Sequence, residues 1–190
     1  MKPKIVIFAS GNGTNAENII KYFQATETAE VVQVLSNKKD AKVLARAEAL
    51  NVAAQSFSKT DLNDPEIIGK KLSEIDPDLI VLAGFLLKIP EYMVADFPDK
   101  IINIHPALLP AYGGKGMYGM HVHRAVVENG ESQSGITIHY VNEHYDEGGI
   151  IFQAKTRLTP EDSPEDVAAK IHKLEYEHFP QVLENLILSL

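Results

Sequence analysis

An α/β fold is predicted for this chain of 190 residues: a mostly parallel, twisted sheet with helices on both faces. Three observations carry the prediction. Short apolar runs alternate with longer amphipathic stretches through the first two thirds of the chain. Several of those runs are continuously apolar, as strands buried on both faces are. A glycine-rich turn follows the first run directly, where a strand would hand over to a helix. The length suits a single domain, residues 1–190, with a substantial core.

The elements follow in order. Ile5–Ala9 is apolar throughout and predicts the first strand. Thr14 with Glu17 three residues on predicts a capping box. Ala16, Ile19, Ile20 and Phe23 then share one helical face. Val31–Leu35 predicts the second strand, and Val43, Leu44, Ala47 and Leu50 the second helical face. Ala53–Phe57 is the third strand candidate, followed by a helix with Ile67, Ile68, Leu72 and Ile75 on one side. Leu79–Ala83 and Ile101–His105 complete the parallel set. From Pro106 to Met120 runs the longest candidate loop, carrying Pro106, Pro110 and Gly113, Gly114, Gly116 and Gly119. Its Tyr112–Met120 stretch is expected to be a mobile flap, with Lys115 able to reach an anion. Ser134–Val141 alternates, and Ile150–Leu158 follows an Asp-Glu-Gly-Gly turn, so an antiparallel pair is expected on the sheet edge. A last helix starts at Ser163-Pro164, with serine as N-cap and proline at the first helical position. Pro180 is expected to kink or break it.

Composition excludes several classes. There are no cysteines, which removes a disulfide framework, a thiolate zinc site and a cysteine nucleophile. No metal is expected. No apolar run approaches the ~18–20 residues of a membrane span. The N-terminal run lacks the length and cleavage site of a signal peptide, so a cytoplasmic protein is expected. The formal net charge of −8 and the lack of a basic stripe argue against nucleic acid. Small molecules are the expected partners, and a homodimer is left open. An anionic ligand would then be held by backbone N–H groups, a helix start, or single cationic side chains.

Two places carry chemistry. Ser10-Gly11-Asn12-Gly13-Thr14-Asn15 brings the backbone close to a ligand and ends in a helix start, which suits a phosphate. With Ala16 it also satisfies Gly-x-Gly-x-x-Ala. The second strand ends in Ser36-Asn37-Lys38 and not in an acidic residue, which argues against NAD and leaves NADP open. The second place is Asn103 with His105, two residues apart at the C-terminal end of a parallel strand and so on one side of it. A carboxylate is needed to fix the imidazole and favour its charged form, and Asp146, in the turn before Gly148-Gly149, is the candidate. Such a trio suits acyl transfer without a covalent enzyme intermediate. Asn103 would donate to a developing oxyanion, His105 would do the same or relay a proton, and Asp146 would raise the pKa of His105.

In their order these segments resemble the phosphoribosylglycinamide formyltransferases, folate-dependent enzymes of purine synthesis, over nearly the whole chain. The resemblance rests on the glycine loop, Ser36-Asn37-Lys38, Leu82-Ala83-Gly84-Phe85, Asn103-Ile104-His105-Pro106 with Leu108-Leu109-Pro110, and Asp146 with Gly148. It implies a Rossmann-like formyltransferase fold and two substrates, 10-formyltetrahydrofolate and 5-phosphoribosyl-glycinamide. By position it implies that Gly13, Thr14, Asn15 and Glu175 bind the ribotide. Leu86, Leu87, Lys88, Ile89 and Asn103 would bind the folate. His105 would be the proton donor and Asp146 its partner.

The chain departs from the family pattern in places. Ala107 replaces a frequent serine after His-Pro. Asn63-Asp64-Pro65-Glu66 stands where an arginine that meets folate is common, and Lys88 is the substitute for another near Leu87. His121, His123 and His139 are expected to line or flank the cleft, and Tyr176, His178 and Phe179 to pack. A formyltetrahydrofolate hydrolase would be expected to add an N-terminal regulatory domain, and a methionyl-tRNA formyltransferase a C-terminal RNA-binding one. An NADP oxidoreductase would leave Asn103, His105 and Asp146 without a role. A non-catalytic ribotide-binding protein would bind without turnover.

Overall fold

A computed structural model describes residues 2–190; Met1, the first residue of the single-domain range, lies outside them. Among the described residues the sheet has seven strands in the order β3-β2-β1-β4-β5-β6-β7. They are β1 (Lys4–Phe8), β2 (Glu30–Ser36), β3 (Ala53–Ser56), β4 (Leu79–Leu82), β5 (Ile101–His105), β6 (Gln133–Tyr140) and β7 (Ile150–Arg157). The first five are parallel. β6 runs antiparallel to β5, and β7 antiparallel to β6, which is the edge pair expected from the sequence. Strand order reverses between β1 and β4, and a crevice at that switch point is where open α/β sheets bind ligands.

Both faces are covered. The helices are α1 (Thr14–Thr26), α2 (Lys42–Ala49), α3 (Lys59–Leu62), α4 (Lys70–Ile75), α5 (Glu91–Asp96), α6 (Met120–Glu128) and α7 (Pro164–Leu188). Period-two alternation divides β1 between two cores. Ile5 and Ile7 pack with Ile19 and Phe23 of α1, Val122 of α6 and Phe179 of α7. Val6 and Phe8 pack with Leu72 of α4 and Met93 of α5. The continuously apolar strands are therefore buried on both sides, as predicted.

Local structure differs from expectation in three places. Thr14 does not cap α1. Gly13 is the N-cap, in the left-handed region with φ 75°. A Cβ at Gly13 would lie 2.3 Å from Cγ2 of Val43, so α2 presses the turn into a shape only glycine accepts. Glu17 turns away to pair with Arg46 of α2 and Lys21.

In the third helical stretch, a π-turn over Pro65–Gly69 precedes α4. The extra residue per turn rotates the face, so Ile68 and Leu72 are buried while Ile67 is 46% exposed.

Finally, α7 runs unbroken for 25 residues through Pro180. Proline has no N–H for the carbonyl of Tyr176, four residues back, but Nδ2 of Asn18 on α1 donates to that oxygen at 3.0 Å. The start of α7 is as expected, with Ser163 and Asp166 forming a capping box and Pro164 in the first turn.

Candidate active site

Three loops at the C-terminal ends of β1, β4 and β5 open onto one cavity of about 540 Å³. Ser10 ties two of them together. Its hydroxyl donates to Oδ1 of Asn37 at 2.6 Å and accepts from the N–H of Leu86 at 2.9 Å. The glycine loop after β1 forms one wall with Gly13, Thr14 and Asn15. Donors of α2 hold its carbonyls away from the cavity. The N–H of Val43 donates to Gly11 O at 3.2 Å, and Nε of Arg46 donates to Asn12 O at 2.9 Å. Ser36, Asn37 and Lys38 are spent within this framework: Ser36 is fully buried and its hydroxyl accepts from the N–H of Lys38.

The opposite wall is Leu86, Leu87, Lys88 and Ile89, after β4, with Leu82, Phe85 and Val141 adding apolar surface. Lys88 lies 6.0 Å from the ring centre of Tyr145. Lys115, from the glycine-rich segment, also lines the cavity. Asn63–Pro65 belongs to a separate shallow depression.

Asn103 and His105 end β5 on its cavity side. Register explains their neighbours. Asn103 pairs with His139 across β5–β6, and His105 with Thr137, so all four point to one face. The Nδ1–H of His139 donates to Tyr140 O at 2.8 Å, which leaves its Nε2 to accept from Nδ2 of Asn103 at 3.1 Å. Asn103 lines the cavity, and among the described residues its second amide hydrogen has no acceptor.

Asp146 arrives from the β6–β7 connection. Gly148 lets it approach, since a Cβ there would stand 1.7 Å from Tyr140 O. One carboxylate oxygen of Asp146 is 3.6 Å from Nδ1 of His105 and the other 3.6 Å from Nε2 of His139. The N–H of Gly114 donates to Asp146 Oδ2 at 2.9 Å.

Asp146 is held below the usual carboxylate range: burial pushes it up, but His139, His105 and the Gly114 N–H outweigh that. His105 differs from expectation. Burial, the largest influence, lowers its pKa; Asp146 and the Tyr112 carbonyl oppose this without reversing it, and His139 adds to it. Asp146 therefore offsets a desolvation cost rather than producing a net rise.

The far end of the cavity is polar. Glu175 of α7 is buried and accepts from Nδ2 of Asn15 at 2.9 Å. Burial raises its pKa, against the hydrogen bond from Asn15 and the charge of His172. His172 and His123 line the same end, and burial, His172 and His105 push His123 down to about 4. His121 sits against the Tyr118 ring, 5.1 Å between centroids. Phe179 is core and His178 stacks near Phe152, but Tyr176 is 42% exposed, contrary to its expected packing role.

Every site residue expected from the sequence thus lines one cavity. His172 and Arg46 were not anticipated, nor were the contacts that Ser10 and Tyr112 make. Only Arg46 left a signal, as a helix cation one turn beyond Val43.

Comparison with known proteins gives a consistent result. The family model described as formyl transferase matches residues 3–183. The chain is similar to the phosphoribosylglycinamide formyltransferase of Haemophilus influenzae, 37% identical over 186 residues, covering 95% of this chain and 85% of that protein. It is 38% identical over 188 residues to the chloroplastic enzyme of that name from Arabidopsis thaliana, covering 96% of this chain. The match spans 64% of that relative's length. The crystal structure of phosphoribosylglycinamide formyltransferase from Anaplasma phagocytophilum superposes with a TM-score of 0.90 at 32% identity, covering 100% of this chain and 89% of that one.

Proposed function

The chain belongs to the formyl transferase family, and from that premise we propose that it transfers the formyl group of 10-formyltetrahydrofolate to the amine of 5-phosphoribosyl-glycinamide. The product is formylglycinamide ribotide, an intermediate of purine synthesis. One observation carries the reading: a glycine-loop helix start and the Asn103–His105–Asp146 cluster face the same continuous cavity. The relatives' names supply the substrates. We place the reaction in the cytoplasm, in keeping with a chain of no cysteines.

Each wall fits one substrate. The N–H groups at the start of α1, with its partial positive charge, suit the ribotide phosphate. Glu175 can accept from ribose hydroxyls. The apolar wall of Leu82, Phe85, Leu86 and Ile89 suits a flat pteridine, with Lys88 toward the acidic end of the folate.

The folate supplies an electrophilic formyl carbon on a nitrogen leaving group. Asn103 donates its free amide hydrogen to the formyl oxygen as that carbon becomes tetrahedral. Protonated His105 gives its proton to the leaving nitrogen as the carbon–nitrogen bond breaks. It then recovers a proton from the attacking amine, so the enzyme ends the cycle unchanged. Asp146 stabilises the imidazolium. The two loops hold the reactants together, which removes much of the entropic barrier.

The test is to mix protein, 10-formyltetrahydrofolate and glycinamide ribotide and follow folate release. Release should require the ribotide. His105→Ala and Asp146→Asn should each cost about two to four decades in kcat with the melting transition intact. Release without ribotide would point to a hydrolase, and unchanged rates in either variant would remove that residue from the mechanism.

A further inference from the structure

Tyr112 sits in the left-handed region, with φ 56°, at the start of the glycine-rich segment after β5. A non-glycine residue there is strained and persists only where its surroundings hold it. Two contacts hold this one. Its hydroxyl donates to Oε1 of Glu131 at 2.7 Å and accepts from Nδ2 of Asn129 at 2.9 Å, just beyond the C-terminal end of α6. The phenol is pinned outside the cavity while the backbone of the same residue faces inward. There the Tyr112 carbonyl lies 2.7 Å from Nε2 of His105.

A carbonyl oxygen can only accept. Nε2 of His105 therefore carries a hydrogen in both the neutral and the charged ring. The nitrogen that gains and loses a proton is Nδ1, on the side of Asp146 Oδ2 at 3.6 Å. That separation is too long for a direct hydrogen bond and leaves Nδ1 able to address a substrate atom. Two residues on, the N–H of Gly114 donates to the same Oδ2. Residues 112–114 thus hold both members of the pair through backbone groups. The titratable groups facing the ring are Asp146 from the β6–β7 connection, His139 from β6 and His123 from α6.

We infer that Tyr112 is a positioning residue that selects the Nε2–H tautomer of His105, so that Nδ1 is the nitrogen that transfers the proton. The inference rests on the proposed role of His105, but its first test does not. In the ¹⁵N-labelled free protein above the His105 pKa, long-range proton–nitrogen correlation should show Nε2 bonded to hydrogen and Nδ1 bare. A bare Nε2 would overturn the inference while leaving the formyl transfer untouched.

Variants carry the second test. Tyr112→Phe keeps the ring and loses both anchors. It should lower kcat about 10- to 100-fold with little change in either KM, and populate the other tautomer. Glu131→Ala should move the same way, while Glu131→Gln, which still offers an acceptor oxygen, should stay near the parent. Tyr112→Phe with parental kcat and a single Nε2–H tautomer would overturn the inference, as would Glu131→Gln as impaired as Glu131→Ala. Loss of activity in the Gly114–Asp146 contact alone could not imitate the tautomer signal.

Discussion

At the scale of single residues, burial decides more than charge. His105 has a carboxylate beside it, yet desolvation keeps its pKa lowered, because removing an imidazolium from water costs more than a partner at 3.6 Å returns. His123 is the stronger case. It is 2% exposed, its Nδ1 has no hydrogen-bond partner among the described residues, and burial, with His172 and His105, pushes it from 6.5 to about 4. The folded ring binds its proton more weakly than the unfolded one. As pH falls through the unfolded value of about 6.5, the unfolded chain takes the proton first and stability drops. The drop continues to about pH 4 and then levels, amounting to on the order of 3 kcal/mol. Melting temperatures across that window should show this slope, and His123→Gln should flatten it. An equally steep fall in the variant would assign the slope to other groups.

Among elements, the informative cases are those where a local rule was broken and repaired from elsewhere. Pro180 would be expected to interrupt α7, and the helix continues because Asn18 of α1 supplies the donor that proline lacks. Asn18→Ala should therefore cost about 1 kcal/mol or less, the partner being near solvent. In a Pro180→Ala background, where residue 180 regains its own N–H, the same change should cost next to nothing. Equal costs in both backgrounds, read from denaturant midpoints, would refute the repair. Strands were legible in the sequence because each apolar run is short and bounded by turn residues; Ile101–His105 was placed with its observed limits. The rotated face at Ile67 was not, since a π-turn leaves no mark in an apolar spacing. The Gly13 cap was hidden for a different reason: the pressure on it comes from Val43, thirty residues on in the chain and on another helix.

For the whole molecule, the question is how a mixed sheet assembles one site from distant segments. Asn103 and His105 could be placed together because two-residue spacing on a strand fixes one side. Asp146 could be named as a candidate from its turn before Gly148-Gly149, but nothing in a turn's sequence says which strand it overhangs, so its approach to His105 was legible only in the fold. The hydrogen bond between His139 and Asn103 was out of reach, because it depends on the β5–β6 register. Tyr112 acts through its carbonyl, a group every residue possesses, so no reading of side chains could single it out.

Since both proposed ligands occupy walls of the one cavity, either should stabilise the whole fold. At a ribotide concentration of 100 times its Kd the gain is about 2.7 kcal/mol. For a chain of this size that is roughly 5–10 °C in melting temperature. The unphosphorylated riboside should give a much smaller rise; an equal rise would separate the glycine loop from phosphate recognition. That loop has Gly11 and Asn12 tethered by Val43 and Arg46. The entropy of arranging it is settled once, at folding, so under the proposed function each ribotide meets a loop already shaped and spends none of its association free energy on reshaping it.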